Sequence, residues 1–146
     1  MAAGGKEGSV LGVDILHTKI RTPDGKLVNI PNGVLINEYI VNYSAEASRR
    51  VELIFPVSYD ADISEAKRTA IDVMENNAKV LSEPEKPFAG VDSYGDSAVN
   101  LIVRAWCKTP DYWSVRFELN ERIREKLTEN GIEIPFNQLD VHIKNQ

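Results

Sequence analysis

Apolar and polar residues alternate in the segment RVELIFPVSYD, where Val51, Leu53, Phe55 and Val57 fall on one side. A period of two residues is that of a half-buried β-strand. Pro56 lies inside the run and has no amide hydrogen to donate to a neighbouring strand. The pattern therefore predicts a strand that lies at the edge of its sheet or ends near this proline.

Two longer segments show the three- and four-residue spacing of amphipathic helices. In the first, DISEAKRTAIDVMENNAKVL, Asp62 is placed to cap the helix and Glu65 follows at the capping-box spacing. In the second, DYWSVRFELNERIREKLTENG, Gly131 stands where a left-handed C-terminal cap belongs. The apolar stripe of this second helix consists of Tyr112, Val115, Leu119, Ile123 and Leu127.

Two further strands separate these helices. The segments FAGVDSY and SAVNLIVRAWC predict a hairpin with a tight turn at Gly95 and Asp96, and Leu139–Ile143 is a last possible strand. Residues 49–146 thus have the order β-α-β-β-α-β. That order predicts a ferredoxin-like α/β domain, with two helices on one face of a mixed sheet.

The first part of the chain predicts a small all-β unit. Between HTKIRT and KLVNI, Pro23 presets its own φ and Gly25 supplies a positive φ, which predicts a hairpin turn. The second strand stops at PNG, and EYIVNYS follows as a further strand. We place this β-domain at residues 8–48, end it in the polar segment SAEASRR, and expect residues 1–7 to be a disordered leader or a vector-derived remnant.

Composition excludes some classes of protein. The net charge is −5 and the sequence pI is about 5.1, which argues against a nucleic-acid partner because such proteins usually carry a basic surface. Cys107 is the single cysteine, so no disulfide can form within the chain and a reducing compartment is favoured. No apolar run reaches the ~20 residues that span a bilayer, and the N-terminus is not a secretory signal.

No catalytic or metal-binding constellation emerges. His17 and His142 are the two histidines, and neither lies at a metal-ligand spacing. No histidine is placed to activate Cys107, which we interpret as a buried or half-buried thiol. Asp60 and Asp62 suit cap and turn roles better than paired acid–base chemistry. The residues therefore predict no enzyme, no cofactor and no metal, but a binding, assembly or structural protein.

Aromatic and basic residues have ordinary structural interpretations. Trp106 lies in a predicted strand and Trp113 in a predicted helix, and core packing is favoured for both. A basic strip could also bind nucleic acid, but a solvated face is the simpler explanation because no stacking aromatics are interleaved with it. The strip consists of Lys19, Arg21, Arg49, Arg50 and Arg68.

Several unusual strings resemble the small-conductance mechanosensitive channel (MscS-type) family. They are TKIRTPDGKLVNIPNG, NYS, RRVELIFPVSYDADI, NLIVRAW and GIEIPFNQLDVH, in that order, and the resemblance covers about residues 8–144. The family-motif residues to which we assign structural roles on this ground are Arg21, Thr22, Asp24, Gly25, Ile30, Pro31, Asn32, Arg50, Tyr59, Asp60, Pro135 and Asp140.

The resemblance implies a membrane channel that opens under bilayer tension and releases ions and small osmolytes on hypo-osmotic shock. It implies a heptamer whose small, Sm-like β-domain and following α/β domain form a hollow vestibule on the cytoplasmic side of the inner membrane. This chain is similar to the cytoplasmic portion alone, so we expect it to act as scaffold and sieve. Neither a cofactor nor a nucleic-acid partner is implied.

Three departures from the family pattern accompany the resemblance. The pore-lining helix is absent, so the fragment itself is expected not to conduct. The first strand of the β-domain is expected to be missing, and Pro56 stands where the family more often has glycine. Two alternatives stay open: a free-standing ferredoxin-like ligand-binding or assembly module, and an Sm-like RNA-binding ring, against which the net charge counts.

Overall fold

In a computed structural model, which describes residues 1–142, the chain divides into two units, Met1–Ala47 and Ser48–Gln146. The division lies inside the polar segment that the sequence suggested as a boundary. The whole is a mixed α+β protein with several sheets and, among the described residues, three α-helices. Each unit has its own buried apolar cluster.

The first unit contains a two-stranded hairpin, a three-stranded antiparallel sheet whose strands lie side by side in chain order, and one short helix. Its core is small and consists of Ala3, Ile20, Ile30 and Leu35, with Met1 and Val28 packed against them. The elements are β1 (Ala2–Ala3), β2 (Lys6–Glu7), β3 (Ser9–Val13), β4 (His17–Arg21), β5 (Leu27–Pro31) and α1 (Asn32–Ile36).

The turn between β4 and β5 confirms the hairpin predicted from TPDGK. Gly25 has a φ of +86°, in the left-handed region that favours glycine. Its amide donates to the Thr22 carbonyl at 2.9 Å, and the Thr22 amide donates to the Lys26 carbonyl at 2.9 Å. Arg21 then pairs with Leu27, which sets the register of the whole hairpin.

The prediction of a disordered leader at residues 1–7 is wrong. Ala2 and Ala3 pair with Glu7 and Lys6 around a two-glycine loop. The Met1 amino group donates to the Gly8 carbonyl at 2.8 Å, and Ala3 is buried. The segment is ordered because the two glycines, both at positive φ, allow a tight hairpin that brings Ala3 to the core of the unit.

The strand expected at EYIVNYS is not formed either. After β5 the chain enters α1, and within this segment only Val41 makes a β-bridge, to Ala2. One helical turn after Pro31 brings Leu35 onto the buried side chains of Ile20 and Ile30. Burial of Leu35 thus explains why the chain turns at PNG instead of continuing as a strand.

The second unit is a single antiparallel sheet covered on one face by two helices. Its central strand is the last of its four strands along the chain, and it pairs with the first strand on one side and with the second and third on the other. Every pairing among the described residues is antiparallel, so the predicted mixed sheet is wrong. The elements are β6 (Ser48–Val57), α2 (Ile63–Glu75), β7 (Val80–Leu81), β8 (Phe88–Tyr94), β9 (Val99–Lys108) and α3 (Tyr112–Glu129).

Alternation along β6 and β9 decides which side chains enter the core. Val51, Leu53, Phe55 and Val57 are buried under the helices, as the sequence pattern predicted. In the described part of the chain β6 pairs with β9 alone, so Pro56 does lie on an edge strand, one residue before its end. The helices contribute Ala66, Ala70, Met74, Val115, Leu119, Ile123 and Leu127 to this core.

The predicted helix ends are confirmed. Asp62 Oδ1 accepts a hydrogen bond from the Glu65 amide at 3.1 Å, which caps α2. At the other end of the domain, α3 is followed by Gly131 at a φ of +74°, the left-handed conformation of a C-terminal cap. The hairpin at Gly95 is also present, because its amide donates to the Ala98 carbonyl at 2.8 Å.

Both tryptophans lie outside the core, contrary to prediction. Trp106 is half-buried on the face of β9 that points away from the helices, because the core positions of that strand are the odd-numbered ones. Trp113 is 56% exposed, because it does not lie on the buried face of α3, which starts at Val115 and continues with Leu119. Position on the element, not residue size, decided their placement.

The chain after α3 differs from the predicted final strand. Ile132 is buried in the core and the Glu133 carbonyl accepts from the Ser58 amide at 2.9 Å. Residues 139–142 have no regular secondary structure, and the end of the predicted strand, Ile143, lies outside the described residues. The elements of the second unit therefore follow the order strand, helix, strand, strand, helix, with a short extra strand, β7, after the first helix and without a last strand in residues 1–142.

Candidate functional site

Polar side chains fix the turn of the first hairpin. Thr22 Oγ1 donates to the Asp24 carboxylate and accepts from the Lys26 amide at 3.0 Å. Lys26 Nζ lies 2.6 Å from Asp24 Oδ2. The Lys26 ammonium, and then the Thr22 hydroxyl, hold the pKa of Asp24 below its usual value of 3.8. The motif residues Thr22, Asp24 and Gly25 thus act together as one turn.

Asn32 joins the start of α1 to the loop between β3 and β4. Its Nδ2 donates to the carbonyls of Asp14 and Ile15 at 2.8 and 3.0 Å, and its Oδ1 accepts from the buried Thr18 hydroxyl at 2.8 Å. The Asn32 amide also donates to the Leu16 carbonyl at 2.8 Å. Asn32 is therefore the residue that holds an apolar loop in one shape.

A charged and aromatic cluster covers the face of the second sheet that carries no helix. Glu52 Oε1 lies 2.6 Å from Arg50 Nη2 and 3.3 Å from Arg104 Nε. The Arg50 guanidinium is 6.0 Å from the centre of the Trp106 ring. The Arg104 guanidinium is likewise 6.0 Å from the centre of the Phe88 ring. One carboxylate thus balances two arginines, each of which also lies within reach of an aromatic face.

Strand register explains this cluster. Glu52 is opposite Arg104, and Arg104 is opposite Phe88 on the other side of the central strand. Arg50 is a family-motif residue, whereas neither periodicity nor a motif singles out Glu52 or Arg104. The signal that could have found them is the polar set on the even positions of β6 and β9, which alternation places on one face.

Tyr59 links the end of β6 to the turn between β8 and β9. Its hydroxyl donates to the Gly95 carbonyl, and its ring is stacked on Tyr94 with centroids 6.4 Å apart. In the same region the Gln138 amide donates to Ser97 Oγ at 3.0 Å. The segment after α3 is therefore tied to this unit at Ser58 and again at Ser97, which fixes its course across the ends of the strands.

The remaining motif residues are spread over both units and differ in burial. Ile30 is buried in the core of the first unit, whereas Arg21 and Pro31 are exposed at the ends of β4 and β5. The Asp60 amide donates to Ser58 Oγ at 3.2 Å. Pro135 is half-buried and Asp140 is exposed in the segment that follows α3. The motif residues do not converge on one pocket in either unit.

Reactive and metal-binding groups do not form a site in the described residues. Cys107 is buried, and burial raises the pKa of its thiol above the usual value of 9.0, which disfavours the nucleophilic thiolate. Residues 1–142 contain no cluster of three or more His, Cys, Asp or Glu residues that could hold a metal ion. Nor does any helix in this range have both the length and the apolar content of a bilayer span.

Two family models match the chain. The β-domain of the mechanosensitive ion channel family matches residues 2–45, and the C-terminal domain of mechanosensitive ion channel MscS matches residues 51–134. The chain belongs to the MscS family. The β-domain match begins inside residues 1–7, the segment expected to be a leader. This is a family of channels and not of enzymes.

Relatives of the chain carry the same family name. An uncharacterized MscS family protein of Synechocystis is 40% identical over 139 residues, which are 95% of this chain and 47% of that protein. The small-conductance mechanosensitive channel of Edwardsiella ictaluri is 38% identical over 140 residues, or 96% and 49% of the two chains. The chain therefore spans about half the length of these relatives.

Solved structures share the fold. The closed-state crystal structure of Helicobacter pylori MscS has a TM-score of 0.90 and 39% identity, and the match covers 99% of this chain and 57% of that one. Arabidopsis MSL1, solved by cryo-electron microscopy, has a TM-score of 0.80 at 19% identity over 93% and 49% of the two chains, which supports the fold alone.

Proposed function

We propose that this chain is the cytoplasmic vestibule portion of a tension-gated membrane channel that passes ions and small osmolytes. The observation that carries the proposal is the match of nearly the whole chain to the closed H. pylori channel at 39% identity. In this role the chain is a scaffold and sieve on the cytoplasmic side of the inner membrane. The motif turns and ties described above keep its surfaces in shape.

Assembly into a homo-oligomer, a heptamer by family resemblance, is supported by the surface of the first unit. A buried core of four residues is small for 47 residues. At the same time many large apolar side chains of this unit are exposed, and neighbouring copies would cover them. The most exposed are Val13, Ile15, Leu16, Leu27, Ile36 and Tyr39, of which Ile15 is 94% and Tyr39 98% exposed.

Net charge supports an electrostatic contribution to the sieve. The chain carries a net charge of −5, so seven copies around one cavity would concentrate cations there at low salt. At ~0.15 M salt the Debye length is about 8 Å, and the effect would weaken. The effect depends on the balance of charge over the whole chain and not on one ring of side chains.

Patch-clamp recording on the full-length protein tests this function. The full-length gene is expressed in a bacterial strain that lacks its own mechanosensitive channels, and the 146-residue chain is expressed alone as the control. We expect tension-activated currents and survival of hypo-osmotic shock with the full-length gene, and neither with the control. Full-length protein that reaches the membrane without producing such currents would refute the proposal.

A further inference from the structure

The outer edge of β6 is a long strand edge. The strand has ten residues, and in residues 1–142 it pairs with β9 alone. Its middle, VELIF, is rich in side chains that favour strands. A long edge of this kind can take up a strand from another chain, which leads to aggregation. The contacts of the backbone groups on this edge therefore decide whether a further strand can join it.

Strand register shows which backbone groups of β6 face outward. The Gly95 amide donates to the Ala98 carbonyl, so the even-numbered residues of β9 direct their backbone groups toward β8 and the odd-numbered ones toward β6. Odd-numbered residues of β6 are opposite odd-numbered residues of β9, as Val57 is opposite Val99. The amides and carbonyls of the even-numbered residues of β6 therefore face the outer edge.

Three positions along this edge are closed. Arg116 Nη1, from α3, donates to the Glu52 carbonyl at 2.9 Å. Pro56 has no amide hydrogen to offer a further strand. The Ser58 amide, one residue beyond β6, donates at 2.9 Å to the Glu133 carbonyl of the segment that follows α3. An acceptor, a donor position and the end of the edge are thus each closed to another chain.

We propose that Arg116 and Pro56 close the β6 edge to strand addition, so that copies of this chain cannot join through their second sheets. A strand that joins an edge bonds to every second residue of it. Between Glu52 and Pro56, Ile54 is the only position with both backbone groups directed outward, so no two neighbouring positions remain for a ladder. An oligomer brings identical edges to a high local concentration, and the closure restricts its contacts to other surfaces. The closure belongs to each single chain, so it holds with or without the proposed ring.

Sedimentation velocity on the 146-residue chain tests the role of Arg116. Arg116→Ala frees the Glu52 carbonyl, and the concentration at which species larger than those of the parent appear should fall roughly 5-fold or more. Arg122→Ala is the matched control, because it removes the same charge from the same helix and its guanidinium pairs with Glu125 at 3.9 Å. Equal behaviour of the two variants would overturn the proposal. Each variant is compared with the parent, so the result does not depend on whether the parent forms a ring.

Changes on the edge itself test the second closure and the site of association. Pro56→Ala restores an amide donor, and in the Arg116→Ala background it should lower the threshold concentration further; an unchanged threshold would remove Pro56 from the proposal. Ile54→Lys in the same background should return the threshold to that of the parent, because a charged side chain on an edge strand opposes pairing. Ile54 is 49% exposed, so the lysine can reach solvent.

A core variant separates an opened edge from a loosened fold. Val115→Ala removes buried apolar volume from α3 next to Arg116. It should lower stability in urea denaturation without producing the larger species. Larger species from Val115→Ala like those from Arg116→Ala, or no rescue by Ile54→Lys, would refute the role of the edge.

Discussion

At the scale of single residues, Asn32 ties the start of α1 to β4 and to the loop that precedes β4. We expect Asn32→Ala to lower the free energy of unfolding by ~2 kcal/mol or more, since it removes three side-chain hydrogen bonds and leaves the buried Thr18 hydroxyl without its acceptor. Asn37→Ala, which removes one exposed bond to the Gly33 carbonyl, is the control and should cost well under half as much. Chemical denaturation measures both; equal losses would contradict the role of Asn32.

Asp24 gives the first hairpin a dependence on pH. Its pKa is lowered in the folded chain, chiefly by Lys26 and then by Thr22. A carboxylate with a depressed pKa contributes stability that is complete above its unfolded pKa, here 3.8, and is lost as the pH falls through the folded value. The effect on hairpin stability should therefore appear only below about pH 4.

Nuclear magnetic resonance of the side-chain carboxyls can check the Asp24 prediction. Lys26→Gln should raise the pKa of Asp24 toward 3.8, because it removes the largest cause of the shift. Lys19→Gln removes an ion pair with Asp14 on another part of the hairpin, and is expected to leave Asp24 unchanged. If Lys26→Gln had no effect on the titration of Asp24, the close ion pair would not exist in solution.

At the scale of elements, the start of α2 separates two aspartates of similar appearance. Asp62 accepts from the Glu65 amide and caps the helix, whereas the Asp60 side chain makes no cap. Asp62→Ala should thus destabilise the chain by about 1 kcal/mol, and Asp60→Ala by less than ~0.5 kcal/mol. Thermal unfolding compares them. A larger loss from Asp60→Ala would show that the motif position has a structural role beyond the turn.

At the scale of the whole molecule, the two units differ in how much core they contain. The second has a continuous core between one sheet face and two helices, and the first has four buried apolar residues. We expect amide hydrogen exchange at least ~100-fold slower in β6 and β9 than in β3–β5 of the isolated chain. Slow exchange throughout β3–β5 in a verified monomer would contradict this, because it would show that the first unit needs no neighbours.

The sequence determined those elements whose signals are local. Alternation fixed β6 and its buried side chains, periodicity fixed α2 and α3, and the TPDGK turn fixed the first hairpin. The two glycines at positions 4 and 5 are also a hairpin signal, but without apolar flanks they do not distinguish a hairpin from a leader. The motif strings sufficed for the family, because several of them occur in a fixed order.

Only the tertiary structure decided which distant residues meet. Glu52 and Arg104 come together because β6 and β9 pair antiparallel, and local periodicity carries no information about that register. The same holds for Leu35, whose burial replaces an expected strand by a helical turn. Trp106 and Trp113 lie outside the core for the same reason: side-chain direction follows from position on an element, and the buried face is set by the neighbours that pack on it.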